Sequence, residues 1–496
     1  MYGRAPAIYH DGGAATYSEF YDRVLRAGQA LRALGVDRGD RVAVLMLNSP
    51  RYLELYFATA AIGAAVVPIN IRWGADEINF SLRDSGAKVL ALDDRFAQLR
   101  PDPLPLLLYT GGKECPDGMV SYESAVAAAQ PVVEADPDED DILGLFYTSG
   151  TTGGPKGVML THRNIFQHAM LMAMELTITH ETVYLNAAPM FHLANGALMF
   201  VVTIMGGAHS FLAAFEPEAF LARVEKHRVN VALLVPTMLN MVVNHPAIDK
   251  YNVSSLRLFV YGASPMPVEL LRRLMGKFGP IFCQAYGMTE SSPVMTILQP
   301  EDHVFENGQA TSAGRPMLGV ELKVVDLMDR EVKTGEPGEI VARGPTVMKG
   351  YWNRPEANAE VLRGGWLHTG DIGAFDANGF VYILDRKKDM IKTGGENVYS
   401  PEVESALCAH PDILEATVFG VPDARWGESI KAAVVLCQNK TLVEREVIDW
   451  CRARLTHFKC PASVDFLDAL PKGGTGKVQK NVLRAQYWEG KERGVN

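Results

Sequence analysis

The sequence predicts an α/β protein: a large N-terminal domain over residues 1–385 and a small α+β C-terminal domain over 386–496. Three observations carry this. Short apolar runs alternate with amphipathic helical stretches between residues 16 and 286, the pattern of largely parallel sheets with helical crossovers. From residue 314 to 385 the texture changes to brief β-like runs between glycine turns. A charged run, Asp385-Arg386-Lys387-Lys388-Asp389, then follows a strand-like stretch and marks the boundary.

The elements follow in order. Residues 16–35 read as an amphipathic helix, with Thr16 and Glu19 in a capping-box pattern and Phe20, Val24, Ala27, Leu31 and Leu34 on one face. A strand over 42–47, a helix over 51–62 and strands over 66–69 and 88–92 come next. Residues 95–141, rich in Pro, Asp and Gly, read as a connection into a buried strand over 142–147. Residues 182–215 carry no formal charge. They also contain Asn186, Pro189, His192, Asn195, the Gly206-Gly207 pair and His209, so a buried helix followed by a buried strand is expected, not a membrane span. Helices are expected over 217–227 and 267–278, with strands over 229–235, 256–261 and 281–286. In the C-terminal part the expected order is helix 400–409, strands 413–421 and 432–436, and helix 443–455.

Composition sets limits. Of 496 residues, 48% are hydrophobic and 21% charged, as in ordinary globular chains. Lys+Arg is 48 against Asp+Glu 58, a formal net charge of −10, which argues against nucleic acid or an anionic membrane as a partner. The six cysteines, 115, 283, 408, 437, 451 and 460, form no C-x-x-C pair. They read as free thiols without a zinc site, and with no apolar signal core at the start the expectation is a cytoplasmic protein. Nothing in the composition decides between a monomer and a homodimer.

The chemistry centres on YTSGTTGGPKG, residues 147–157. Thr148, Ser149, Thr151 and Thr152 stand among Gly150, Gly153 and Gly154, closed by Pro155 and Lys156. Such a loop can turn hydroxyls and backbone N–H groups toward one anion, and the lysine adds a point charge, so the implied ligand is a polyphosphate. It is not a Walker A loop: with the template begun at Gly150, Pro155 stands where its second glycine belongs and Gly157 where Ser/Thr belongs. Four further stretches join it. YGMTE (286–290) sits beyond a strand end, where ligands bind in α/β sheets. Thr369-Gly370-Asp371 sets a carboxylate at a turn. Residues 385–392 supply Arg386, Lys388 and Lys392. PKGGTGKVQK (471–480) presents Lys477 on a glycine loop. Singly, each has an ordinary explanation as a strand end, a turn or a solvated face; together, in this order, they do not.

The set resembles the adenylate-forming superfamily of acyl-CoA synthetases, luciferases and peptide-synthetase adenylation domains, and 4-coumarate:CoA ligases and fatty-acid:CoA ligases among them. The resemblance runs from about Thr16 to Lys480; it departs at the start, where members carry an extra helix before the equivalent of residues 5–9. It implies a multi-sheet N-terminal domain with a mobile C-terminal one. The reaction implied is ATP-dependent acid:CoA ligation through an acyl-adenylate, with ATP, Mg²⁺ and coenzyme A. Residues 148–156 would hold the β- and γ-phosphates; Gly262, Ala263, Ser264 and Tyr286 would frame the adenine. Thr289 would meet the α-phosphate, Glu290 would hold Mg²⁺, and Asp371 and Arg386 the ribose. Lys388 matches the hinge, with Lys392 beside it, and Lys477 the lysine bridging carboxylate and phosphate. Gly394, Gly395, Glu396 and Asn397 match the loop lining the pantetheine tunnel. His192 matches an aromatic position at the acyl-pocket mouth, with Asn195 on the same wall; Ala285, Gly287, Pro293 and Val294 would form the floor. Malonate-activating relatives carry arginine at the position of Ala285, so the resemblance points to an uncharged fatty, aryl or phenylpropenoic acid as the small-molecule substrate. Two other readings stay open: an adenylating enzyme that transfers the acyl group to a separate carrier protein or acts as a luciferase-like oxygenase, and a non-catalytic nucleotide-binding protein, against which Lys156, Glu290 and Lys477 argue.

Overall fold

In the computed structural model, which describes residues 2–102, 105–132, 135–148, 155–472 and 478–489, the chain divides into two compact units. The first comprises Met1–Leu322 and Ala342–Leu367, the second Lys323–Val341 and His368–Asn496.

The first unit is built on two sheets. In the nine-stranded one, Ala208–Phe211, Val183–Asn186, Val231–Leu233, Leu258–Gly262 and Phe282–Tyr286 run parallel. Thr296–Leu298 and Arg315–Pro316 extend it antiparallel at one edge. In the eight-stranded one, Arg41–Leu45 is flanked by the parallel strands Ala65–Pro68 and Val89–Leu92. Strand Ile142–Thr148 then joins Ala65–Pro68, Lys156–Thr161 pairs with it antiparallel, and Gly350–Tyr351 closes that edge. One core holds apolar residues of both sheets and of the helices Tyr17–Ala33, Pro50–Ala61, His162–Glu175 and Leu193–Ile204. Separate cores cover the outer face of each sheet. Strands buried on both faces need continuous apolar sequence, which is why runs such as Val42–Leu45 and Leu258–Tyr261 are wholly buried.

Most expected elements are present. Thr16 caps Tyr17–Ala33 in a complete capping box with Glu19, and Pro267 precedes Val268–Phe278. The stretch 182–215 contains the expected buried helix and following strand, but a strand, Val183–Asn186, comes first. No helix among the described residues is long and apolar enough to cross a membrane. Residues 95–141 are not a plain connection. Leu106–Tyr109 pairs in parallel with Val89–Leu92, and Val120–Ser121 and the helix Tyr122–Ala128 follow. The proline-rich flanks masked a strand only four residues long, too short for a periodic signal.

The second unit carries most of a four-stranded sheet, ordered Glu321–Val325, Gly338–Arg343, Leu367–Phe375, Val381–Arg386. It also carries a five-stranded sheet around the long hairpin Ile413–Asp423 and Gly427–Leu436. Near the end of the chain, Lys480–Trp488 forms a helix. Leu483 and Tyr487 pack on a small core of Phe419, Val421 and Val435, apolar positions too few to stand out in a polar stretch.

One carboxylate ties the first unit together beside the end of strand Ile142–Thr148. Asp84, on helix Ala75–Ser85, accepts from the Tyr147 hydroxyl at 2.7 Å and from Arg354 at 2.9 Å. Its backbone carbonyl accepts from the Trp352 indole at 3.0 Å. Asp84→Ala strands a half-buried phenol and a guanidinium, and we expect it to lower unfolding stability by about 1.5–3 kcal/mol in denaturant titration. Tyr147→Phe should reproduce part of that loss.

Candidate active site

Strands Ile142–Thr148 and Lys156–Thr161 are antiparallel partners, with Thr148 opposite Lys156. The Thr148 hydroxyl donates to the Lys156 carbonyl at 3.5 Å. The segment between them therefore joins two neighbouring strands, not a strand and a helix as in a Walker A loop. Ser149, Gly150, Thr151, Thr152 and Gly153 lie outside the described residues, as does Lys477.

Lys156 leads into a cluster. Its ammonium stands 5.0 Å from the centre of the Tyr351 ring. The Tyr351 hydroxyl donates to Glu290 Oε1 at 2.7 Å, and the Glu290 carbonyl accepts from Met348 N at 2.9 Å. Both Tyr351 and Glu290 are buried. Burial, and then the Glu290 carboxylate, push the Tyr351 phenol well above its ordinary pKa, so it stays a donor. A buried carboxylate thus sits one side chain away from the lysine at the end of the hydroxyl-rich segment. Tyr351 was not singled out from sequence; the available signal was Gly350-Tyr351-Trp352 before the helix Pro355–Val361.

Glu290 and Thr289 lie on a single 3₁₀ turn, Thr289–Ser291, just past the carboxyl end of strand Phe282–Tyr286. Its neighbour, Leu258–Gly262, ends beside it, with Gly262 opposite Ala285. Gly262, Ala263, Ser264 and Tyr286 therefore converge at two adjacent strand ends, where α/β sheets bind ligands. Glycine is required there: a Cβ on Gly262 would stand 2.2 Å from the Ala285 carbonyl oxygen, and one on Gly287 2.1 Å from that of Pro293. Ala285 and Tyr286 are half-buried against the main core together with Phe191 and Ala194, and Val294 is buried.

His192 caps helix Leu193–Ile204, its Nδ1 accepting from Ala194 N at 3.3 Å. Asn195 is placed differently from expectation. It is fully buried, its amide donating to the Ala188 carbonyl at 2.9 Å and to Asn186 Oδ1 at 3.5 Å, while its oxygen accepts from the Tyr184 hydroxyl. An amide so committed inside the fold is no pocket wall. The position, three residues past His192, faces inward on the helix.

The second unit gathers its own set. Asp371 and Arg386 are cross-strand partners in the hairpin Leu367–Phe375 and Val381–Arg386, joined Nε to Oδ1 at 2.9 Å. Asp371 is buried and Arg386 half-exposed. Glu339, missed in the sequence, braces the turn: it accepts from Gly370 N at 3.2 Å and pairs with Lys387 at 3.1 Å. Burial lowers the pKa of Lys388, whose carbonyl accepts from Arg484 at 3.1 Å. Arg484 also pairs with Asp389 at 2.7 Å, so the last helix grips this stretch. Lys392 N donates to Glu428 at 3.1 Å. Gly394 and Gly395, with φ of 60° and 86°, make the two-residue connection between Ile391–Thr393 and Glu396–Val398, the primed hairpin turn that wants both φ positive. A Cβ on Gly394 would stand 2.9 Å from the Trp426 ring.

Among the described residues no three His, Cys, Asp or Glu side chains group as a metal site. Glu290 could serve as a lone carboxylate ligand, the arrangement that suits Mg²⁺ held mainly by phosphate oxygens and water.

This architecture and this donor set define a nucleotide-binding enzyme of the α/β class. A family model described as "AMP-binding enzyme" matches residues 1–352, and one described as "AMP-binding enzyme C-terminal domain" matches 402–477. A feruloyl-CoA synthase of an Amycolatopsis species is 40% identical over 98% of this chain and 97% of its own length. The long-chain-fatty-acid–CoA ligase FadD13 of Mycobacterium tuberculosis is 36% identical over 95% and 93%. The crystal structure of ATP-bound MatB from Rhodopseudomonas palustris superposes with a TM-score of 0.89 at 33% identity, over 98% of this chain and 96% of the other. The chain belongs to the AMP-binding enzyme family, the ATP-dependent, adenylate-forming acid–thiol ligases.

If Asp371 and Arg386 grip one ligand as well as each other, their losses should be coupled. Each alanine substitution is expected to cost about 1.5–3 kcal/mol in ATP use. The coupling measured in a double-mutant cycle by pyrophosphate exchange at limiting ATP should exceed that measured by unfolding without nucleotide. Equal coupling in both would make the pair a hairpin staple only.

Proposed function

We propose that this protein ligates an uncharged fatty or phenylpropenoic acid to coenzyme A, in two steps through an acyl-adenylate. The observation that carries the proposal is the Lys156–Tyr351–Glu290 cluster beside the strand ends that hold Gly262 and Tyr286. It sets a cation for terminal phosphates and a carboxylate for a cation within one connected group.

In the first step a carboxylate oxygen of the acid attacks the α-phosphorus of ATP. The new P–O bond forms as the bond to the bridging oxygen breaks, and pyrophosphate leaves. Lys156 and the hydroxyls of residues 148–152 would hold the terminal phosphates, Thr289 the α-phosphate, and Lys477 the charge that develops between acid and phosphorus. Mg²⁺ on Glu290 would supply further charge neutralisation along the phosphates. In the second step a thiol attacks the adenylate carbonyl, AMP leaves, and the thiol proton passes to solvent. Gly394–Glu396 would line the thiol's approach. We place the pivot between the steps at Lys388, so that residues 1–385 and 386–496 reorient about it; burial of that lysine and its grip by Arg484 support a defined pivot.

The acid is argued from Ala285, Gly287, Pro293 and Val294, which are small or apolar, and from the absence of any Lys, Arg or His between residues 285 and 294. A second carboxylate would find no cation there. The named relatives, a feruloyl-CoA synthase and a long-chain-fatty-acid–CoA ligase, support the same class. Six free cysteines support a reducing compartment, and we place the enzyme in the cytoplasm. Light scattering reads directly whether two copies pair.

The test is pyrophosphate release with ferulate, 4-coumarate, decanoate, palmitate and malonate, with and without CoA. An uncharged acid should be preferred and its thioester should appear only with CoA. Malonate as the best substrate would overturn the pocket reading, and turnover with a phosphopantetheinylated carrier protein but not with CoA would change the acceptor. Lys477→Ala is the control, expected to lose about a hundred- to thousandfold in adenylate formation.

Tyr351→Phe keeps the ring beneath Lys156 and removes the hydroxyl from Glu290. It should raise the Mg²⁺ needed for half-maximal pyrophosphate exchange by about tenfold, as loss of a partner behind a metal ligand does. The KM for the acid should stay unchanged, and a parallel shift in both would assign Tyr351 to packing.

A further inference from the structure

Residues 187–192 link strand Val183–Asn186 to helix Leu193–Ile204 and lie outside any strand or helix. Residues 187, 188 and 190 are buried, so their backbone groups cannot turn to water and must find partners inside. A single side chain supplies two of them, at Ala188 O and Met190 N, and a third bond to the strand end at Asn186. Asn48, itself buried, follows strand Arg41–Leu45 of the other sheet. Its Oδ1 accepts from Met190 N at 2.8 Å, and its Nδ2 donates to the carbonyls of Asn186 at 3.1 Å and Ala188 at 2.8 Å. Tyr56, on helix Pro50–Ala61, donates to the Met190 carbonyl at 3.1 Å. From the far side Asn195 donates to the same Ala188 carbonyl. Two amides and a phenol therefore hold this segment between the sheets, and its last residue is His192. The His192 carbonyl in turn accepts from the backbone N–H of Asn195 and of Gly196, both at 3.0 Å, which starts the helix.

We propose that Asn48 is a positioning residue for selection of the acid: it fixes residues 186–192 and thereby sets where His192 stands. This rests on the reading of His192 as a residue at the mouth of the acyl pocket. Only an amide meets the requirement at position 48, because one acceptor and two donors are needed at one point. Aspartate offers no donor in its ionised form, and serine offers one. The groups it holds are main-chain atoms, so its effect passes through backbone position and not through contact with substrate.

The experiment compares Asn48→Ser and Tyr56→Phe with Tyr122→Phe, which loses a buried hydrogen bond whose acceptor is Glu54, at 2.7 Å, and not a residue of 186–192. Two readouts are taken. The first is the imidazole signal of His192 in ¹³C-histidine-labelled protein, assigned with His192→Gln. It should shift or broaden in Asn48→Ser, do so more weakly in Tyr56→Phe, and stay in place in Tyr122→Phe. The second is steady-state kinetics with ferulate and decanoate. Asn48→Ser should raise the KM for the acid about tenfold, the equivalent of a lost buried hydrogen bond, with the KM for ATP held within about twofold.

Tyr56→Phe retains every contact of Asn48, so it decides the matter if Asn48→Ser fails to fold. An unmoved His192 signal in the folded variants overturns the clamp. A moved signal with equal rises in both KM values overturns its role in selecting the acid. Wild-type inactivity on every acid tested is failure of the functional reading alone, and the His192 signal still decides whether Asn48 positions the segment.

Discussion

The register between Ile142–Thr148 and Lys156–Thr161 decides where charge sits in the first unit. With Thr148 opposite Lys156, the lysine side chain falls on the face of Tyr351, because Gly350–Tyr351 pairs next to it on the same strand. A slip of one residue would send every side chain of Lys156–Thr161 to the opposite face of the sheet. Lys156 would then leave Tyr351, and the link to Glu290 would be broken. The register is held by burial of Val158 and Leu160, which share the face of Lys156, and from the strand end by Asp84, which takes hold of Tyr147, Trp352 and Arg354 together.

The same device recurs: a buried polar side chain with several partners holds irregular backbone where an apolar residue could not. Glu54 gathers Arg23 and the Tyr122 hydroxyl beneath three helices. Asn48 does it for residues 186–190. In the second unit Asp385 accepts from the backbone and hydroxyl of Ser400 at 2.7 and 2.8 Å, which starts the helix Ser400–Cys408, and Lys480 pairs with Glu404 at 2.8 Å. Burial raises the pKa of Asp385 while Lys480 and the Ser400 bonds oppose the rise. Groups of this kind cost desolvation when formed and more when half-broken, so they specify one arrangement more than they add stability.

Much of the second unit's detail is set at its hairpins. The Gly394-Gly395 turn brings Trp426 over Gly394, and the Leu367–Phe375 hairpin makes Asp371 and Arg386 neighbours although they stand fifteen positions apart in sequence. Arg484, near the chain's end, reaches back to Lys388 and Asp389. The helix Lys480–Trp488 therefore touches the stretch proposed to reorient between the two steps.

The α/β class and the order of most elements were legible in the sequence, because they depend on local period and on residue types that only certain turns and strand ends need. The capping box at Thr16 and the buried runs of parallel strands are of that kind. The strand Leu106–Tyr109, the helix Lys480–Trp488 and the roles of Tyr351, Asp84, Glu339 and Asn48 were not. Each depends on a partner far along the chain: Tyr351 on Glu290, Asp84 on Arg354, Glu339 on Lys387, and Asn48 on the backbone of residues 186–190. Asn195 shows the limit most clearly. From sequence it stood three residues past His192 and read as pocket wall; in the fold it turns inward, because a buried backbone carbonyl at Ala188 needs a donor. Local period reports which face of an element is apolar. Which polar side chain is drawn inward is decided by the unmet hydrogen bonds of other segments, and those exist only once the tertiary structure has brought the segments together.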